Sequence, residues 1–148
     1  MHRTTILLII CTLFYVSCKI PVGLEPVSGV EGKITFSGNW PEDIKAVTII
    51  ALDSLVLDKI GDYFVTYSSP IDSGAVESEY FIQLLPGQYY LAVIGITIKP
   101  SIFAVKIDSF LSAETIPIKP IDDDLQELKT QINIKYQVVE IVNREIVF

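Results

Sequence analysis

The sequence predicts an all-β chain: a single antiparallel β-sandwich of about seven short strands, following an N-terminal signal segment. Three observations carry this. Short segments alternate polar and apolar side chains or run through β-branched residues, the patterns of half-buried and fully buried strands. Pro, Gly, Asn and Asp separate these segments at short intervals. Helical periodicity is poor in every window, the best being 122–128. Half of the 148 residues are hydrophobic and a fifth are charged, which suits one domain with a sizeable core and excludes a disordered chain.

The N-terminus reads as an address. His2 and Arg3 precede an apolar run of eleven residues, 6–16, interrupted only by Thr12. Such a run suits a signal-peptide core and falls short of the roughly 20 residues of a transmembrane helix. Ser17 and Cys18 follow. A small residue before a cysteine at this point resembles the bacterial lipoprotein signal; Val16 and Ser17 fit it, while Tyr15 stands where Leu is usual. The resemblance implies cleavage before Cys18, with a diacylglycerol thioether and an N-acyl chain on that cysteine. Two or three chains, at about 0.8 kcal/mol per buried methylene, anchor stably where one does not. Plain secretion and an uncut, membrane-spanning signal are the alternatives. The expected organisation is a signal peptide over 1–17, a lipidated tether over 18–28 and the sandwich over 29–148. Pro21, Gly23 and Pro26 oppose regular structure in the tether.

The strands follow in order. Residues 33–37 alternate, placing Ile34 and Phe36 on one face; Gly38, Asn39 and Pro41 end the run. Residues 46–52 are β-branched and suit a central strand covered on both faces. Residues 63–67 form a short strand inside the connection 53–77. Residues 79–84 alternate again, with Tyr80, Ile82 and Leu84 together. Leu85-Pro86-Gly87-Gln88 then predicts a type II turn with Gly87 at positive φ, closing a hairpin with a strand over 89–98. Residues 101–107 return as a strand, 115–119 make an edge piece containing Pro117, and 145–148 make the last strand. The cleanest alternation is 129–138, with Ile132, Ile134, Tyr136 and Val138 on one side. Ile34, Phe36, Ile82, Ile132, Ile134 and Tyr136 are therefore expected to be buried close together.

Gly32-Lys33-Ile34-Thr35, then Val47-Thr48-Ile49-Ile50, then Leu84-Leu85-Pro86-Gly87-Gln88-Tyr89-Tyr90-Leu91 resemble the carboxypeptidase-regulatory-like or transthyretin-like sandwiches. That family has a G-x-V/I-x opening strand and an L-x-P-G-x-Y-x-L hairpin. The likeness covers 29–98, with 132–136 as a last strand. It implies an Ig-like or transthyretin-like fold and an appended or surface module without catalytic residues of its own.

Composition excludes much chemistry. The net charge is −7, so nucleic acid is not an expected partner. Loss of 1–17 takes His2, Arg3 and Cys11, and leaves ten basic against eighteen acidic side chains in 131 residues, a net −8. The remaining chain has no histidine, and its one cysteine, Cys18, is the lipid site. A Ser-His-Asp triad, a Cys-His pair, a His- or Cys-ligated zinc and an intrachain disulfide are thereby excluded. No phosphate-binding glycine motif occurs, Arg144 is the only arginine left, and no cofactor is expected.

The remaining candidates are weighed against plainer roles. Asp122-Asp123-Asp124 could hold calcium, though the EF-hand spacing is missing, or form a solvated acidic loop. Asp53, Asp58 and Asp62 could supply a glycosidase pair, or line an ordinary loop. Trp40, Tyr63 and Tyr67, with Tyr89 and Tyr90, could make an aromatic platform for a sugar or peptide, or pack into the core. Ser68, Ser69 and Ser73 read as loop hydroxyls.

The reading is an envelope-anchored lipoprotein carrying a non-catalytic binding or structural module, not an enzyme. The alternative is a carbohydrate- or peptide-binding protein using loop aromatics, and a carboxylate-based glycosidase comes third. Expected partners are the membrane, through the lipid, and an envelope protein or polysaccharide. The expected location is the bacterial cell envelope. The outer membrane is favoured, because Lys19 stands where aspartate would mark inner-membrane retention.

Overall fold

The computed structural model describes residues 27–56, 60–111, 117–121 and 131–148. The signal segment, Cys18, nearly all of the tether, Asp58 and the Asp122–Asp124 run lie outside them, as does the helical window 122–128. Within the described residues the chain is all-β, with ten strands in two sheets and two short helices.

The first sheet is built on β1 (Gly29–Ser37), whose Val30, Ile34 and Phe36 point inward. On one side β1 pairs antiparallel with β5 (Glu77–Gln83). On the other it pairs in parallel with β9 (Val139–Ile141) and β10 (Arg144–Val147). Gly29↔Val139 and Ile34↔Arg144 share one offset, so β9 and β10 follow a single line interrupted at 142–143. In that gap Lys33 N donates to Asn143 Oδ1 at 2.8 Å, and Val142 N to Glu31 O at 2.8 Å. The expected purely antiparallel arrangement is thus corrected: the last strand changes sheets and arrives beside β1 running the same way.

The second sheet centres on β2 (Ala46–Leu52) and β6 (Gly87–Ile96), paired antiparallel. The edge of β2 is taken by β3 (Phe64–Tyr67) and β4 (Ile71–Asp72), and that of β6 by β7 (Ile118–Pro120) and β8 (Gln131–Ile134). Every residue of β2 is buried. Val47, Ile49 and Ala51 join Val30, Ile34, Tyr80, Ile82, Leu91, Val93 and Ile134 in the core between the sheets. Ala46, Ile50 and Leu52 face the other way, under α1 (Ile60–Tyr63) and α2 (Pro100–Leu111), whose Ile60, Phe103 and Ile107 cover them. The layers are therefore first sheet, second sheet, helices.

Four expectations change. Residues 101–107 are helical, not extended. Pro100 suits a first helical turn, and Phe103 and Ile107, four apart, form the buried side. Residues 79–84 and 89–98 do not form a hairpin, because β5 and β6 belong to different sheets. Leu84 N still bonds Ser28 O at 3.0 Å in the first sheet, and 84–86 then cross over. Gly87 opens β6 opposite Ile134, and among the described residues the glycines with positive φ are Gly38 and Gly74. Finally, the run 129–138 is a strand only to Ile134. Ile132 is half-buried against the core, but Tyr136 sits exposed in a turn beside Gln137, whose φ is 62°. Ile34, Phe36, Ile82 and Ile134 do share the core as expected.

Candidate functional site

Helices cover the outer face of the second sheet, whereas the outer face of the first remains open among the described residues. Alternation along the strands sets what it displays. Register gives the rows Phe81–Glu31–Ile141, then Glu79–Lys33 with Asn143 beside them, then Glu77–Thr35–Glu145, and last Ser37–Val147. Phe81 and Ile141 are exposed apolar side chains at the two flanks of Glu31. Lys33 Nζ reaches diagonally to Glu77 Oε2 at 2.6 Å. Four carboxylates against one ammonium leave the face negative. A shallow concavity of about 620 Å³ lies here, lined by Glu31, Lys33, Glu79, Phe81, Ile141 and Asn143 among others.

The floor of this face is fixed by Tyr80. Opposite it in register stands Gly32, and a Cβ on Gly32 would fall 1.9 Å from Val142 O and 3.1 Å from the Tyr80 ring. Only glycine lets the ring and the Val142 carbonyl come so close. Tyr80 Oη donates to Val142 O at 2.6 Å. Burial pushes the phenol up to about 12, with the Arg144 charge opposing. Tyr80 is therefore a protonated donor at neutral pH, holding the interrupted strand in place. The face can bind by charge, by hydrogen bonds and by its two apolar flanks.

The aromatic candidates are not brought together. Trp40 packs against Phe36 and Phe148, with ring centroids 4.8 and 4.7 Å away, and its Nε1 donates to Ala75 O at 3.2 Å. It closes one end of the core between the sheets. Tyr67 lies on the opposite side of the second sheet, edge-on to Phe103 at 5.8 Å. Tyr63 ends α1, and its carbonyl accepts from Asp53 N at 3.1 Å. Tyr89 and Tyr90 do take opposite faces of β6, one against the inter-sheet core and the other against the outer layer. Asp53 and Asp62 are exposed.

Ser68 does lie in the connection between β3 and β4, but its hydroxyl is not a free loop hydroxyl. It is buried, with its Oγ accepting from Ile49 N at 3.1 Å and lying 3.2 Å from Thr48 Oγ1, which donates to Ser68 O at 2.7 Å. Ser69 and Ser73 are exposed. Lys119 binds the Asp43 carboxylate and, by that hydrogen bond and its charge, holds the Asp43 carboxyl below its ordinary value. This pins β7 to the connection between β1 and β2.

Sequence reasoning missed the open face. The outward positions of 31–35 and 77–81 were visible in the alternation, but their union with Ile141 and Asn143 depends on a parallel pairing across more than a hundred residues. Among the described residues no group of three or more His, Cys, Asp or Glu side chains could hold a metal ion, and no helix is long and apolar enough to cross a membrane. Comparison with family models, with curated proteins and with solved structures found no match.

Proposed function

We propose that the chain is a lipid-anchored protein of a bacterial envelope, outer membrane favoured, whose domain is a non-catalytic module that binds a partner through the open face of its first sheet. The observation that carries the binding reading is the asymmetry of the layers. One sheet is sealed by helices while the other presents Phe81 and Ile141 beside four carboxylates and Lys33. The anchor reading is supported by the apolar run ending at Ser17-Cys18.

The seven-strand reading of the sandwich gains support from strand geometry. β3 with β4, β7 with β8, and β9 with β10 each share one edge or line, so the ten strands follow seven tracks, three in the first sheet and four in the second. The Gly32–Thr35 and Val47–Ile50 motifs fall on the central strands of their sheets.

A photo-crosslinking side chain at Phe81 or Ile141, with a control at Val105 on α2, tests the binding reading in the native envelope. A discrete adduct from the first two sites and none from the control is expected. Equal labelling at all three sites would leave a structural module. Polysaccharide hydrolysis lost in Glu31→Gln or Glu79→Gln would replace the proposal with an enzyme.

A further inference from the structure

An apolar cluster lies where the chain enters the fold. Segments 27–29, 84–86 and 135–138 meet at the start of β1. Leu84 N donates to Ser28 O at 3.0 Å, Gly29 N to Val138 O at 3.1 Å, and Gln137 N to Ser28 Oγ at 2.9 Å. Each segment shows large apolar side chains to solvent: Val27 is 44% exposed, Leu85 79%, Tyr136 68% and Val138 36%. Leu84 is buried in the core, so Leu85, next along an extended chain, must point out. Lys135 is the only charged residue in the three segments, although the chain carries a net −7. Acidic side chains begin on later rungs, with Glu140 and Glu31, and across the second sheet with Asp53 beyond the end of β2.

We infer that this end of the domain rests in the headgroup layer of the membrane that holds Cys18. The inference rests on the lipid-anchor reading. Nine Cα-to-Cα steps separate Cys18 from Val27 and span at most about 30 to 32 Å, so this end is the one the anchor keeps near the bilayer. A tyrosine, aliphatic side chains and a single lysine are the set that settles at a membrane–water interface. The acidic rows recede along β1: Ser37, and Val147 paired with it, lie about 26 Å from Gly29 at roughly 3.3 Å per residue. Seated this way, β1 stands away from the bilayer and the open face of the first sheet is left free for a partner.

The test uses full-length, acylated protein in vesicles of phosphatidylethanolamine and phosphatidylglycerol. Cys18 is acylated and is the only cysteine left after 1–17 are lost, so Leu85→Cys or Val147→Cys can carry a polarity-sensitive dye alone. The two sites are equally apolar and similarly exposed, 79% and 73%, but lie at opposite ends of the domain. The dye at 85 should shift to the blue and be quenched by nitroxide-bearing lipids several-fold more than the dye at 147. Lys135→Glu with Tyr136→Glu should abolish the shift at 85 while leaving the thermal midpoint and the acylated N-terminal peptide unchanged. Acylated protein whose dyes at 85 and 147 respond alike overturns the inference and leaves the anchor reading standing. A chain without acyl groups on Cys18 overturns both.

Discussion

Ser68 shows how one side chain can stand in for a strand. β2 pairs with β3 up to Ile50↔Tyr67 and with β4 from Val47↔Ile71. Two residues of β2 therefore face three, 68–70, and Pro70 has no N–H to give. The ladder would leave Ile49 N without a partner, and Ser68 Oγ supplies one at 3.1 Å. Ser68→Ala should destabilise by about 1 to 3 kcal/mol, because a buried amide loses its acceptor, while Ser69→Ala should stay within about 0.5 kcal/mol. Urea unfolding of the two variants checks this. In the sequence Ser68 looks like its exposed neighbour Ser69, since a bulge depends on register with a distant strand. Tyr80 gives a pH prediction. Its phenol is pushed up to about 12 by burial, against about 10 in an unfolded chain. Folding favours the protonated form, so the stability it contributes is complete below pH 10 and is lost as pH rises from 10 through 12. Tyr80→Phe should unfold more easily at neutral pH, by about 1 kcal/mol for the lost bond to Val142 O. It should also lose less stability than wild type between pH 10 and 12. Parallel alkaline losses in the two proteins would place the titrating group elsewhere.

At the scale of elements, β1 and β8 show what periodicity can and cannot say. Alternation correctly assigned Ile34, Phe36, Ile82 and Ile134 to one core, because a period of two fixes faces. It could not say where pairing stops. The alternation of 129–138 continues through Tyr136, but β6 begins at Gly87, opposite Ile134, and the chain must then turn to reach the other sheet. Ile134→Ala should therefore cost about 2 to 5 kcal/mol and Tyr136→Ala less than about 0.5 kcal/mol. Thermal unfolding of the pair would expose a wrong strand end as equal losses. Two glycines make a second contrast. A Cβ on Gly32 meets backbone, Val142 O at 1.9 Å and its carbonyl carbon at 2.7 Å, whereas one on Gly87 meets only the tip of Tyr89, at 3.1 Å. Gly32→Ala should cost about 1 to 3 kcal/mol or more, as the parallel line of β9 and β10 is pushed off β1, and Gly87→Ala about 0.5 kcal/mol. The sequence motif singled out Gly87 through its Pro-Gly pair, but that pair serves a crossing between sheets and not a hairpin turn.

At the scale of the molecule, the apolar run of β2 announced a strand covered on both faces, but not by what. The sandwich reading implied a second sheet on one face; the helical cover on the other, α1 with α2, was not expected, because Phe103 and Ile107 supply two buried positions to a window, 101–107, otherwise rich in strand formers. The open face was illegible for a related reason: it needs a strand near the C-terminus laid in parallel beside the first. The proposed anchor is different, since the pattern it rests on is local. An apolar core of eleven residues ends at Ser17-Cys18, and nothing later in the sequence reaches the roughly 20 apolar residues of a transmembrane helix. The net −8 expected after cleavage opposes simple adsorption to an anionic leaflet, so under the lipid-anchor proposal the acyl chains carry the attachment. Cys18→Ala should therefore abolish fatty-acid incorporation and the cleavage that depends on it. Fractionation alone would mislead, because an uncut signal could retain the precursor in the membrane. Metabolic labelling with a clickable fatty acid, followed by mass analysis of the N-terminal peptide, separates the cases. The wild type should yield an acylated peptide beginning Cys18-Lys19, and the variant a longer, unlabelled chain. An unmodified N-terminus at Cys18, or one cut further downstream, would remove the lipid anchor and with it the membrane-facing role of Leu85 and Tyr136, while the fold and its open acidic face would stand.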